Sequence, residues 1–297
     1  MHKKYISRII RKITPQVIKD STRPLRNKLE IQIKEKIQKN APLSKIIKKL
    51  FGPLYATNHR IIELNINFNC NLKCLNCARS CRQAPDTANI SIEQIKKFIM
   101  ESQNKNRRWE TIVILGGEPS LHPDIFEILE LLVSYKKQRE NKTTLKLISN
   151  GFGSEVKNIL AKIPSQILVN NTNKKSVINR FFSFNMAPVD LEEYAKADYS
   201  NKCLITKSCG VALSKYGYYY CSNAAGIDRV FGFDVGRKKL PPDGDEMLEQ
   251  ATLLCRYCGR FKVSSTSRCV LEEEKMSLSW VKAYKKFKEQ KPILKEY

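Results

Sequence analysis

The sequence predicts an α/β protein: a parallel sheet or barrel with helices outside, a basic helical extension before it, and a small cysteine-rich hairpin module after it. Three observations predict this. Short apolar runs alternate with amphipathic stretches from Ile61 to about residue 190, the pattern of a parallel sheet covered by helices. Residues 1–52 carry apolar residues at helical spacing among lysines and arginines, interrupted by prolines. Beyond residue 200 the alternation stops and closely spaced cysteines flank a Gly-centred turn. The expected divisions are 1–58 for the extension, 59–200 for the core, and 201–297 for the cysteine-rich module with a final helix.

In the extension, Ile6, Ile9, Ile10 and Ile13 share one face, Leu25, Leu29, Ile33 and Ile37 another, and Ile46, Ile47, Leu50 and Phe51 a third. In the core, Ile61–Phe68 reads as a strand, and Ser91 with Gln94 forms a capping-box start to a helix. Thr111–Leu115 is a strand ending in Gly116-Gly117. A helix with Ile125, Leu129, Leu132 and Val133 on one side follows Pro123. Leu145–Ile148 is the next strand, Glu155–Ala161 a short helix, Gln166–Val169 another strand, and Phe182–Met186 one more. Val211–Leu213 and Tyr218–Tyr220 form the hairpin around Gly217, and a last helix contains Trp280, Tyr284 and Phe287.

Charge and cysteine count narrow the function. The net charge is +24, and residues 1–60 hold 16 Lys/Arg against three acids, leaving +11 for the remainder. Such a surface attracts anionic partners: phosphorylated substrates, nucleic acid or acidic lipid. No apolar run approaches the ~18 residues that cross a bilayer, and the N-terminus does not read as a signal peptide. The expected setting is cytoplasmic; residues 1–52 read either as helices that pack on the body and expose a solvated basic face or as an arm for peripheral membrane or partner contact. Ten cysteines in such a chain suit metal sites better than disulfides, because they fall in two groups with short spacings.

The first group, Cys70-Asn-Leu-Lys-Cys74-Leu-Asn-Cys77, follows a strand directly. Three thiolates so close together can hold three irons of a four-iron cluster and leave the fourth open. Alone the run also suits zinc, with Cys81 as a fourth ligand. Gly116-Gly117-Glu118-Pro119 then ends the second strand, where glycines permit close backbone approach and a carboxylate can accept from an amine.

With both motifs in these places, the sequence resembles the radical S-adenosylmethionine (SAM) superfamily over about residues 61–190. The resemblance implies a partial (β/α) TIM-like barrel with its site at the C-terminal strand ends. It also implies a site-differentiated [4Fe-4S] cluster on Cys70, Cys74 and Cys77, and a 5′-deoxyadenosyl radical that abstracts hydrogen from substrate. Gly116, Gly117, Glu118 and Pro119 would contact SAM, Ser149 and Asn150 look like the polar turn after the third strand, and Asn170 would be a further contact. A small electron-donor protein is the implied partner. No side chain is assigned as catalytic, and His122 reads as a helix-start residue. One departure is Asn76, where the family usually has an aromatic residue; Leu75 would cover the site instead.

Cys209, Cys221, Cys255 and Cys258 resemble the auxiliary-cluster extension called a twitch domain, and less well the longer SPASM domain. Four such thiolates could hold a four-iron cluster or one zinc; the resemblance implies an auxiliary [4Fe-4S] cluster, with Cys203 and Cys269 spare. Its layout is similar to that of a dehydrogenase, in which the second cluster would accept an electron from a substrate radical. The competing reading is a zinc-binding adaptor with a basic arm for nucleic acid or membrane, which explains the charge but not the Gly-Gly-Glu-Pro turn.

Overall fold

The computed structural model describes residues 23–139, 142–181, 184–262 and 275–297. The Ile6–Ile13 repeat and Cys269 lie outside them, as do residues 182–183 of the expected Phe182–Met186 strand.

Four strands run parallel: β1 (Ile61–Asn65), β2 (Thr111–Leu115), β3 (Thr144–Ser149) and β4 (Ile167–Asn171). Helices α3 (Ile92–Asn104), α4 (Ile125–Gln138) and α5 (Ser154–Leu160) connect them. Two further strands, β5 (Val211–Ser214) and β6 (Gly217–Tyr219), complete a six-stranded sheet of order β4-β3-β2-β1-β5-β6. The result is a partial (β/α) barrel, open beyond β4.

The strand register explains the two faces. Ile62 and Leu64 of β1 lie level with Ile112 and Ile114 of β2, and these with Leu145 and Leu147 of β3. All are buried, in one core with Ile95 and Phe98 of α3 and Ile128, Leu129 and Leu132 of α4. The capping box of Ser91 and Gln94 forms as expected and starts α3. Alternation puts Glu63, Val113, Lys146 and Leu168 on the concave face, with Asn65, Leu115, Ile148 and Asn170 one step further along. An α/β barrel keeps its chemistry at the C-terminal ends of these strands, beyond this mixed face.

The cysteine-flanked hairpin is continuous with the core sheet. β5 pairs parallel with β1, and β6 returns antiparallel. Every residue of β5 is buried, so the strand needs partners on both edges, and β1 supplies the second. Helix α7 (Ser222–Phe231) follows and packs on β5. Its small residues allow this: a Cβ on Gly226 would sit 2.6 Å from the Ala78 carbonyl oxygen of the cysteine loop. Arg229 of α7 is fully buried and donates to the carbonyls of Arg79 and Ala84, both at 2.8 Å. A short helix α6 (Ile205–Cys209) precedes β5, and α8 (Leu248–Leu254) and α9 (Leu278–Glu289) close the C-terminal side. Trp280 of α9 is buried among Phe184, Phe231 and Tyr284.

Residues 184–186 form a turn where a strand was expected. The backbone carbonyls of Phe184 and Asn185 accept from Gly259 and Ser277, so they serve the C-terminal segment and not a sheet ladder. Among its described residues the extension holds a pair of helices, α1 (Arg23–Lys39) and α2 (Ala41–Phe51), joined at Asn40, whose side chain caps α2. Ile37, Leu54 and Tyr55 form a small second core with Ile33 and Ile47. No helix among the described residues is long and apolar enough to cross a membrane.

Candidate metal centre

The cysteine loop leaves β1 and is tied in turn to the C-terminal ends of the other parallel strands. At its root, Gly117 N–H donates to the Asn67 carbonyl at 3.0 Å and Glu118 N–H to the Asn69 carbonyl at 2.8 Å. The Asn67 side chain returns a bond to the Glu118 carbonyl at 2.8 Å. The two glycines that follow β2 are required here for close packing. A Cβ on Gly116 would lie 2.3 Å from Asn67 Oδ1, and one on Gly117 2.1 Å from the Asn69 carbonyl oxygen. Gly117→Ala should therefore displace the loop and cost about 1–3 kcal/mol, the usual range for overpacking. A denaturant midpoint together with iron content after reconstitution measures both effects.

Next, Asn150 at the end of β3 donates to Asn71 Oδ1 at 2.8 Å, and its amide stands 3.9 Å from Cys70 Sγ. Asn71 donates back to the Phe152 carbonyl at 2.7 Å. The segment after β4 takes the other flank: Lys73 and Leu75 N–H groups donate to the carbonyls of Val177 and Asn179. Asn76 is fully buried with φ of 54°, a left-handed conformation that asparagine tolerates and an aromatic residue adopts poorly. Its amide donates toward the Phe181 carbonyl at 3.4 Å. The departure at Asn76 thus has a backbone reason, and Leu75 is bridged to Arg180.

Glu118 is fully buried. Its Oε1 accepts from Ser120 N–H and Oγ at 3.2 and 2.7 Å and from Ser149 Oγ at 2.8 Å, while Oε2 accepts from Asn150 N–H at 2.7 Å. The carboxylate therefore joins the β2 turn to the β3 turn. Pro119 opens the short 3-10 turn that Glu118 caps. Asn170 stands exposed near the end of β4, paired in register with Ile148, and it is Asn171 whose side chain packs on Gly151. Both ring nitrogens of His122 are spent structurally, on the Ile90 carbonyl and the Asp124 amide.

The thiols differ in state. Burial pushes Cys70 up to about 12 and also raises Cys74. Cys77 is held down to about 6, first by the hydrogen bond from Cys81, and the same bond raises Cys81. Cys81 is thus a neighbour of the triad.

In the second group the structure gathers Cys203, Cys221, Cys255 and Cys258, all buried. Burial is the main cause of their raised values, and they also act on one another: Cys258 on Cys203, Cys203 on Cys221, Cys221 on Cys258, and all three on Cys255. Arg260 carries its charge beside Cys258 and Cys203. The Tyr220 hydroxyl lies 3.0 Å from Cys255 Sγ. Cys209 is half-buried and turned to Glu63; burial first, then that carboxylate, raises its thiol, and Cys221 of the same group acts on it as well. Sequence spacing favoured Cys209 over Cys203 because it lies nearer the hairpin. No signal in the chain marks Cys203 except its own distance from Gly217.

Among the described residues no three His, Cys, Asp or Glu side chains converge as a single metal ion requires. A cubane cluster spreads its ligands over separate irons and makes no such demand. Two all-sulfur donor sets, one of them beside the half-buried cation of Arg260, fit such anionic groups.

Comparison with known proteins agrees over the core. Residues 64–169 match the model of the Radical SAM superfamily. A protein of Methanocaldococcus jannaschii, provisionally named as a glycyl-radical enzyme activating enzyme, is 31% identical over 116 residues. The match covers 37% of this chain and spans 40% of that relative's length. Among solved structures, BtrN in complex with AdoMet and 2-DOIA overlaps with a TM-score of 0.39 at 11% identity, covering 74% of this chain and 98% of that one. Streptococcus suis SuiB bound to S-adenosylmethionine overlaps with a TM-score of 0.28 at 17% identity, covering 55% and 33%. At those scores the overlaps are loose and bear no weight. The cysteine run, the Gly-Gly-Glu-Pro turn and the Ser-Asn-Gly turn all fall within residues 64–169, and there the chain carries a domain of the Radical SAM superfamily, a family that works with a [4Fe-4S] cluster and SAM.

Proposed function

We propose that this protein is an enzyme that binds a four-iron cluster through Cys70, Cys74 and Cys77 and uses it to cleave SAM reductively, starting hydrogen abstraction from a substrate. The observation that carries the reading is the lacing of the cysteine loop to the ends of β2, β3 and the segment after β4, at the mouth of a partial barrel. When bound, the cluster supplies the electron that breaks a carbon–sulfur bond of SAM. The chain's own residues do the rest. Backbone at Gly116, Gly117 and Pro119 lines the SAM side of the loop, with Glu118 bracing it. Ser149 and Asn150 keep the β3 turn against Cys70, and Asn170 faces the open concavity. A small electron-donor protein delivers the electron.

Cys203, Cys221, Cys255 and Cys258 hold the auxiliary cluster in this reading, with Arg260 offsetting its negative charge. Beside the first loop, a cavity of ≈ 610 Å³ sets Arg82, Lys285 and Lys288 against a single acid, Glu289, over Met276, Val281 and Tyr284. Its basic lining favours a substrate with an anionic group. A second reading of the substrate, a protein chain, draws on the named relative and on the open β4 edge, where Leu168 is 60% exposed.

The test is made on anaerobically reconstituted protein. About eight irons per chain, with 5′-deoxyadenosine released on reduction and lost in Cys74→Ala, is the expected result. Zinc in place of iron, with no SAM cleavage, would return the chain to the adaptor reading.

A further inference from the structure

Helix α2 presents to solvent the apolar residues that a packed helix would bury. Leu43, Ile46 and Leu50 are 43%, 61% and 63% exposed. At spacings of three and four they form one stripe along the helix. The stripe has no freedom to turn inward, because the opposite side is tied down. Ser44 Oγ and Lys48 Nζ both donate to Asp198 Oδ2 at 2.9 Å. Ala41 N–H donates to the Lys196 carbonyl at 3.0 Å. Ile47 packs on the small core of Ile37, Leu54 and Tyr55.

Lys45 and Lys49 are exposed alongside the stripe. On the neighbouring helix the acids Glu30 and Glu35 are already paired with Lys34 and Lys39. The surface around the stripe is therefore cationic, within a segment of net charge +13. An apolar ridge bordered by lysines matches the boundary of an anionic bilayer: leucine and isoleucine enter the acyl region while the lysines reach lipid phosphates.

We propose that α2 docks this protein on an anionic lipid surface through Leu43, Ile46 and Leu50, with Lys45 and Lys49 supplying the preference for negative headgroups. The inference is independent of the cluster reading, since its test needs no iron.

The full chain is sedimented with mixed phosphatidylcholine–phosphatidylglycerol vesicles and with pure phosphatidylcholine vesicles. Wild type should bind the mixed vesicles, and the combined variant L43Q/I46Q/L50Q should bind at least roughly tenfold more weakly, since interfacial affinity scales with buried apolar area. K45Q/K49Q should bind weakly and lose most of the salt dependence. Circular dichroism should match wild type in both variants, because the substituted side chains face solvent. Unchanged sedimentation of the triple variant overturns the proposal, as does equal binding of wild type to neutral vesicles. A wild type that ignores vesicles but self-associates, in a manner the triple variant abolishes, assigns the ridge to a second copy and also overturns it.

Discussion

Cys203→Ala should lower the iron bound after reconstitution from about eight to about four per chain, while Cys209→Ala should leave it near eight. Cys203 is buried with Cys221, Cys255 and Cys258, and its charge acts on two of them; Cys209 is half-buried and turned first to Glu63, with Cys221 the group member that acts on it. In the proposed auxiliary site, removing one of the four thiol ligands leaves an iron without its protein ligand, so that cluster should not be retained. The first cluster does not share these ligands, so 5′-deoxyadenosine release should persist in Cys203→Ala. Iron and sulfide analysis of the two variants side by side decides the matter. If Cys209→Ala loses half the iron and Cys203→Ala keeps it, the spacing argument was right and the packing argument wrong.

The second large effect is expected at Glu118. Its carboxylate receives four hydrogen bonds in a fully buried position, and two of the donors belong to the β3 turn. Bonds to a charged acceptor contribute about 1.5–3 kcal/mol each, and donors left buried without a partner carry a further cost. Because the four bonds share one group, they are not additive. Glu118→Ala should still destabilise the protein by about 3–5 kcal/mol. Glu118→Gln keeps one acceptor but sets an N–H against the Asn150 N–H, or loses the serine bonds if flipped, and should cost about 2 kcal/mol. Urea unfolding of the cluster-free protein measures both. A Glu118→Ala variant as stable as wild type but unable to bind SAM would make the carboxylate a ligand contact and remove its bracing role.

Much of the core was legible because its signals are local. Thr111–Leu115 is a run of apolar residues closed by two glycines, and the strand has those bounds. Ser91 and Gln94 announce a helix start through bonds that form within four residues. The hairpin around Gly217 was legible for the same reason. That β5 would join β1 was not, because strand pairing across about 150 residues leaves no periodic mark in either segment. The proposed preference for Cys203 over Cys209 likewise rests on tertiary placement and not on spacing. Glu118 was recognisable by its motif, yet a motif does not say whether a carboxylate meets a ligand or its own chain. In α2 the apolar residues were visible, but which of them would face outward depended on Asp198, far along the sequence.

The pairing of β5 with β1 has a consequence for how the two cysteine sites can work together. Many two-site proteins assemble their chemistry by closing a hinge, so the distance between sites changes during turnover. Here the first site hangs from β1, and the second is reached through the strand hydrogen-bonded to it. Adjacent strands keep a spacing of about 4.8 Å that folding sets and thermal motion barely alters. The separation between the two sites is therefore a built-in ruler. With both groups holding clusters as proposed, an electron passed between them would cross a constant gap, at a rate set by what fills it.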